Sequence, residues 1–220
     1  MKKRLSGLYA ITNENLMPKE HFIHMAETAL SSGVSVLQYR DKSSDKNKRL
    51  HQARALKALC DQYNAILIIN DDISLTKQVD ADGIHIGKND LSLDETRNQL
   101  GPEKIIGVSC YNKISLAENA INNGADYIAF GSFFGSSIKP DAPHASSDLI
   151  TSIKQHHDTP VCCIGGITTE NHLPLLQAGA DMLAVISDIF SQMNNEHIST
   201  RCIQYLESFK SFSKEPQKKA

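Results

Sequence analysis

The sequence predicts an α/β fold, a single (β/α)8 TIM barrel, from three observations. Eight short apolar runs recur along the chain, segments with helical spacing lie between them, and the joins from helix to strand repeat one phrase. Strand-length runs rich in Ile and Val that alternate with helical periodicity imply a parallel sheet, and eight such strands close naturally into a barrel.

The runs cover residues 8–11, 34–39, 65–69, 83–86, 105–108, 127–130, 161–164 and 182–186. Between the first two, Phe22, Met25, Ala26, Ala29 and Leu30 fall on one helical face, as do Leu50, Ala53, Leu56 and Cys60 after the second. The repeated phrase is Ser32-Gly33-Val34, Asn123-Gly124-Ala125-Asp126 and Ala178-Gly179-Ala180-Asp181. Glycine just past a helix stops it in a left-handed turn and lets the chain enter the next strand. An open doubly wound sheet is the alternative, but no Gly-x-Gly-x-x-Gly follows the first run. The barrel is expected over residues 1–207, and the polar, lysine-rich stretch 208–220 reads as a solvated tail.

At 220 residues the chain suits one large domain. A net charge near −2 gives no reason to expect nucleic acid or an anionic membrane as partner. Met1-Lys2-Lys3-Arg4 leads into a short strand pattern rather than a signal peptide. No apolar run approaches the ~18 residues of a membrane helix. Five cysteines (Cys60, Cys110, Cys162, Cys163 and Cys202) are odd in number and lack metal-site spacing, so they read as core residues in a reducing cytoplasm. An oligomer is compatible with this pattern, which specifies none.

Barrel enzymes work at the C-terminal ends of their strands. The second run ends Gln38-Tyr39-Arg40-Asp41-Lys42. A period of two puts Gln38, Arg40 and Lys42 on one face and Tyr39 and Asp41 on the other, which makes either an anion clamp or a solvated strand exit. The third run ends Asn70-Asp71-Asp72, and Asp90 follows the fourth. Carboxylates at neighbouring strand ends can hold Mg²⁺, which takes one or two of them and completes its shell with water and phosphate. One of Asp71 and Asp72 is expected to cap the next helix and leave the other for the metal. His85 reads as a hydrogen-bonded histidine near the mouth rather than a ligand. The fifth run offers the Ser109 hydroxyl. The sixth leads into Ser136-Ser137-Ile138-Lys139, the seventh into Gly165-Gly166, and the eighth into Ile186-Ser187. Glycines after strand seven and a helix start after strand eight form the usual barrel phosphate site. Two anion sites are therefore expected. A simple phosphate would sit by Gly166 and Ser187, and something like a pyrophosphate by Arg40, Lys42, Lys139 and a metal on Asp71 and Asp90. No activated nucleophile with a partner base is evident. The expected chemistry is electrostatic stabilisation of a departing pyrophosphate.

Taken in order, the motifs resemble the thiamine phosphate synthase family over nearly the full chain. They run from Gly7-Leu8-Tyr9-Ala10-Ile11-Thr12 through Gln38-Tyr39-Arg40-Asp41-Lys42, Ile69-Asn70-Asp71-Asp72, Asp82-Gly83-Ile84-His85-Ile86-Gly87 and Gly107-Val108-Ser109. Gly124-Ala125-Asp126-Tyr127, Ile164-Gly165-Gly166-Ile167 and Ala184-Val185-Ile186-Ser187 complete the set. The resemblance implies small-molecule substrates: 4-amino-2-methyl-5-hydroxymethylpyrimidine diphosphate is joined to a thiazole phosphate, and pyrophosphate is released. It implies that Gln38, Tyr39, Arg40, Asp41, Lys42, Asn70, Ser109 and Lys139 line the pyrimidine diphosphate site, with Lys139, Arg40 and Ser109 catalytic. It further implies Mg²⁺ on Asp71 and Asp90, and thiazole phosphate among Ser136, Ser137, Ile138, Gly166, Ile186 and Ser187. The implied mechanism is dissociative. One loop departs from the family pattern Gly-Pro-x-Phe-Pro-Thr-x-Thr-Lys. Ser132 and Gly135 replace its prolines, Ser136 its first threonine and Ile138 its second. A thiazole tautomerase-like relative and a non-catalytic phosphometabolite-binding barrel are the other readings. The first has no need of Arg40, Lys42, Asp71, Asp90 and Lys139 together.

Overall fold

The computed structural model describes residues 5–135 and 144–213. Eight parallel strands close on themselves in sequence order: β1 (Gly7–Ile11), β2 (Val36–Tyr39), β3 (Ile66–Asn70), β4 (Gly83–Ile86), β5 (Ile105–Tyr111), β6 (Tyr127–Phe130), β7 (Val161–Ile164) and β8 (Met182–Val185). Closure is made by β8 against β1, with Leu8 opposite Leu183 and Ala10 opposite Val185. The single (β/α)8 barrel expected from the sequence is the fold of the chain.

The helices that return the chain are α1 (Phe22–Ser31), α2 (Lys46–Gln62), α3 (Ile73–Gln78), α4 (Leu93–Leu100), α5 (Ile114–Asn122), α6 (Asp148–His156) and α7 (Leu173–Gln177). The short α8 (Ser187–Phe190) and the long α9 (Asn195–Ser213) complete the ring. Phe22, Met25, Ala26, Ala29 and Leu30 are the buried face of α1, as their spacing predicts. On α2, Ala53, Leu56 and Cys60 are buried, while Leu50 is half-buried at the edge of the core. Among the described residues no helix is long and apolar enough to cross a membrane.

Strand alternation divides the apolar interior in two. Leu8, Leu37, Leu67, Ile128 and Leu183 face the helices, whereas Tyr9, Val36, Ile66, Ile68, Tyr127, Cys162 and Met182 fill the barrel. Two tyrosines within a barrel need room. A Cβ at Gly107 would lie 1.9 Å from Cζ of Tyr127, so only glycine leaves space for that ring.

One boundary differs from the sequence reading. The first residues of the stretch expected to be a tail, Ser208 to Ser213, are helical, because α9 continues to Ser213. Ile198, Cys202 and Tyr205 are buried on α9, and Leu206, Phe209 and Phe212 pack against the core beyond them. His172 also bonds Ser208 Oγ at 2.8 Å. Helical spacing of apolar residues outweighs the polar composition of this stretch.

Candidate active site

Most of the described groups singled out at the strand ends lie at the C-terminal mouth, and parity along β2 sorts them. Gln38 points into the barrel and donates from Nε2 to the Tyr9 hydroxyl at 2.8 Å. Tyr39 points the other way. Its ring meets Phe22 edge-on at 6.1 Å, and its hydroxyl donates to Gln52 Oε1 at 2.9 Å on α2. The Tyr39 side chain is therefore not brought to the mouth. Asp41 borders the mouth cavity, but its carboxylate is engaged by Lys48 Nζ at 2.8 Å and by the Ser43 N–H at 2.7 Å. Burial alone would raise the Asp41 carboxyl; the hydrogen bonds from Lys48 and Ser43 overcome it and hold the group down at about 2. Arg40 is exposed, and its backbone is pinned to β1 by Thr12 Oγ1, which accepts its N–H at 2.9 Å.

The ambiguity between Asp71 and Asp72 is resolved by the backbone. Asp72 is the N-cap of α3, accepting the Leu75 N–H at 2.8 Å, and its other oxygen takes Arg49 Nη2 at 2.6 Å. Asp71 has a φ of 63°, in the left-handed region that Asp tolerates better than most residues. Its carboxylate is turned to the mouth, where it accepts from Lys42 Nζ and from Asn70 Nδ2, the latter at 2.6 Å. Asp90 accepts the Gly87 N–H at 2.7 Å. Its carboxyl is pushed up, first by burial and then by hydrogen bonding and charge from neighbouring Asp71, against the pull of Gly87 and Lys42. Two carboxylates this close resist sharing a negative site without added positive charge. Their oxygen donors and their number fit Mg²⁺. A cavity of about 410 Å³ opens beside Asp71, bordered also by Lys42, Arg49, Asn70, Asp72 and Leu91.

Ser109 reaches the same mouth from β5 through a chain of side chains that crosses the barrel. Tyr9 and Tyr127 share a hydrogen bond of 2.9 Å; Tyr127 meets His85 Nδ1 at 2.9 Å; His85 Nε2 meets Ser109 Oγ at 2.8 Å. His85 is thus the hydrogen-bonded histidine expected from sequence. Burial pushes its pKa down to about 4, against a smaller opposing effect of Asp71, so the ring is neutral. Sequence reasoning missed Tyr9 and Tyr127, which carry the hydrogen-bond chain inside the barrel, and Arg49, which borders the mouth cavity. A tyrosine at an inward position of an otherwise aliphatic strand is the signal that could have found the first two.

The opposite rim is made of backbone. Gly165 and Gly166 have φ of 105° and 63°. The loop leaving β6 lies on them: Phe133 N–H donates to Ile164 O at 3.2 Å and Phe134 N–H to Gly165 O at 3.0 Å. Ile186 packs inside the barrel, and Ser187 starts α8 exposed. Ser136, Ser137, Ile138 and Lys139 lie outside the described residues. Burial pushes the Cys110 and Cys202 thiols up to about 12, and both stay protonated.

Fold and mouth together define the class: a single (β/α)8 barrel with charged side chains and glycine turns gathered where such barrels carry their sites. The model of the thiamine monophosphate synthase family matches residues 8–189. The chain is 50% identical over 191 residues to the thiamine-phosphate synthase of Saccharophagus degradans, covering 86% of this chain and 88% of that protein. It is 45% identical over 201 residues to the thiamine-phosphate synthase of Alcanivorax borkumensis, with 91% and 93% covered. The solved thiamine phosphate pyrophosphorylase from Pyrococcus furiosus superposes with a TM-score of 0.83 at 27% identity, over 94% of this chain and 96% of that one. The chain belongs to the thiamine monophosphate synthase family.

Proposed function

We infer that this chain is a thiamine phosphate synthase: a transferase that joins 4-amino-2-methyl-5-hydroxymethylpyrimidine diphosphate to thiazole phosphate and releases pyrophosphate. The observation that carries this reading is the paired Asp71 and Asp90 with Lys42 and Asn70 at one rim, in a chain of this family. A protein that only isomerises or only binds thiazole phosphate has no use for that rim.

In the reaction the C–O bond between the pyrimidine methylene and the diphosphate breaks, and the electron pair leaves with pyrophosphate. The thiazole nitrogen then forms a C–N bond with the methylene carbon. Arg40 and Lys42 attract the diphosphate, Asn70 orients Asp71, and Lys139 meets charge that grows as the leaving group departs. Mg²⁺ held by Asp71 and Asp90 would supply positive charge that neutralises the leaving diphosphate. Gln38 and Ser109 face the pyrimidine. Gly166, Ser187 and the loop of Ser136, Ser137 and Ile138 take the thiazole phosphate, with Ile186 against the ring. Preorganised donors and cations aimed at developing charge are the main source of rate here.

Mixing the protein with both substrates and Mg²⁺ should yield thiamine phosphate and pyrophosphate in equal amounts. Rearrangement of thiazole phosphate alone, or binding without turnover, would sink the assignment.

A further inference from the structure

The chain of hydrogen bonds across the barrel joins two residues that the proposed function sets against the pyrimidine, and it can carry only one polarity at a time. With Gln38 Nε2 donating to Tyr9, the Tyr9 O–H is left to donate to Tyr127. Tyr127 then donates to His85 Nδ1, and His85 Nε2–H donates to Ser109 Oγ. The ends of the chain are set as a consequence. Gln38 Oε1 is left as an acceptor, and the Ser109 hydroxyl proton is left as a donor. Turning the Gln38 amide over reverses every link and moves the His85 proton to the other nitrogen. Any mixed arrangement either strands a phenol proton or sets two acceptor oxygens against each other inside the closed barrel, where Tyr9 is 1% and Tyr127 0% exposed. The links therefore switch together or not at all.

We propose that Tyr9, Tyr127 and His85 are positioning residues that lock Gln38 and Ser109 into one shared donor–acceptor polarity, through which the barrel favours an amino-substituted pyrimidine over its oxo counterpart. This rests on the pyrimidine-facing roles given above to Gln38 and Ser109. An aminopyrimidine offers N–H donors beside ring-nitrogen acceptors, which an acceptor on Gln38 and a donor on Ser109 complement. The oxo analogue exchanges those groups for a carbonyl and a ring N–H. It is accommodated only by turning over the Gln38 amide, both phenols, the imidazole proton and the Ser109 hydroxyl. Gly107 belongs to the same device, because its missing side chain is what lets the Tyr127 ring lie inside the barrel.

The test is Tyr127→Phe, which keeps the ring that stacks on His85 at 5.6 Å and removes the central link. Tyr9→Phe cuts the chain at a second point should the first variant fold poorly. Each variant is assayed with the amino substrate and its oxo analogue, and ¹⁵N spectra are recorded on histidine-labelled protein. The wild type should prefer the amino compound by at least about 100-fold in kcat/KM, as sites built around paired polar groups do. In Tyr127→Phe the KM for the amino compound should rise about five- to tenfold with little change in kcat, and the preference should fall about tenfold. KM for thiazole phosphate should not move. His85 should be the Nε2–H tautomer in the wild type and a mixture in the variant. Unchanged preference in a folded variant, or equal loss for both substrates, would overturn the proposal. If the wild type fails to make thiamine phosphate at all, the functional reading fails instead. In that event a mixed tautomer in the wild type would overturn the locked chain, and a single Nε2–H form would support it.

Discussion

On the proposed function the two rims of the mouth meet the same demand, holding phosphate oxygens, in opposite ways. At the ends of β2, β3 and β4 the groups are charged side chains held in place by one another: Lys42 on Asp71, Lys48 on Asp41, Arg49 on Asp72. At the ends of β7 and β8 the described groups are glycines, a hydroxyl and a helix start. Side chains can follow charge as it develops on a leaving group, whereas backbone N–H groups hold a fixed phosphate without a net charge of their own. The charged rim should therefore govern rate, and the backbone rim should govern affinity for the second substrate. Each prediction below is a way to break or sharpen that division.

The largest effect is expected at Asp71. Asp71→Ala removes the carboxylate that both Lys42 and Asn70 hold, and kcat should fall by roughly 10²–10³ with little change in the KM for thiazole phosphate. Titrating Mg²⁺ back into chelator-treated wild type should restore turnover, while the variant should need far more metal. Full activity of the wild type without Mg²⁺ would remove the metal from the charged rim.

The charged rim is also expected to depend on ion pairs that do no chemistry. Asp41→Asn weakens the contact with Lys48 and should lower stability by about 2 kcal/mol near neutral pH. The two partners agree in direction: the Asp41 pKa lies below its ordinary 3.8, at about 2, and the Lys48 pKa is raised, chiefly by its hydrogen bond to Asp41. A carboxyl depressed in the folded state contributes stability above its unfolded pKa and loses it as pH falls through the folded one. The gap between wild type and Asp41→Asn should therefore be full above pH ~4 and close toward pH ~2. Denaturant midpoints across that range check it, and a gap independent of pH would show that shape rather than charge is what Asp41 contributes.

On the backbone rim, Gly166→Ala tests geometry rather than charge. Its φ is 63°, and a Cβ would stand 2.7 Å from Gly135 O and 2.8 Å from Phe134 O, both backbone atoms that cannot swing aside. The strain should cost about 1–3 kcal/mol of stability. It should also raise the KM for thiazole phosphate about tenfold, leaving the KM for the pyrimidine diphosphate near wild type. An equal rise for both substrates would mean that the rims are not separate.

Much of this was legible in the sequence, for reasons that differ by region. The strands were readable because a strand buried on both faces is a short apolar run, and β4, β6 and β7 begin and end where those runs do. The sorting of Gln38 from Tyr39 followed from the two-residue period. Telling Asp71 from Asp72 by residue pattern alone was not possible, since Asp at either position can cap a helix; the N-cap hydrogen bond of Asp72 and the left-handed backbone at Asp71 separate them. The chain from Tyr9 to Tyr127 was not readable because its central bond joins residues 118 positions apart, and only closure of the barrel brings them together. The end of α9 was misplaced because lysines and serines mask the spacing of Leu206, Phe209 and Phe212.

The smallest effect is expected where the chain departs from its family, at Ile138. The loop pattern that the resemblance implies has threonine there, whose hydroxyl would donate to the thiazole phosphate, and isoleucine has a similar branched shape without a donor. A hydrogen bond to a charged acceptor contributes about 1.5–3 kcal/mol, and backbone N–H groups of the proposed phosphate site would compete for the same oxygens. Ile138→Thr should therefore lower the KM for thiazole phosphate only several-fold and leave the pyrimidine diphosphate KM and kcat unchanged. Steady-state titration of each substrate against wild type and variant reads this directly. A lower KM confined to thiazole phosphate would sharpen the division between rims by adding a side-chain donor to the backbone one. An unchanged or higher value would show that a rim built on backbone had already satisfied the phosphate, and that the substitution at Ile138 cost the enzyme nothing.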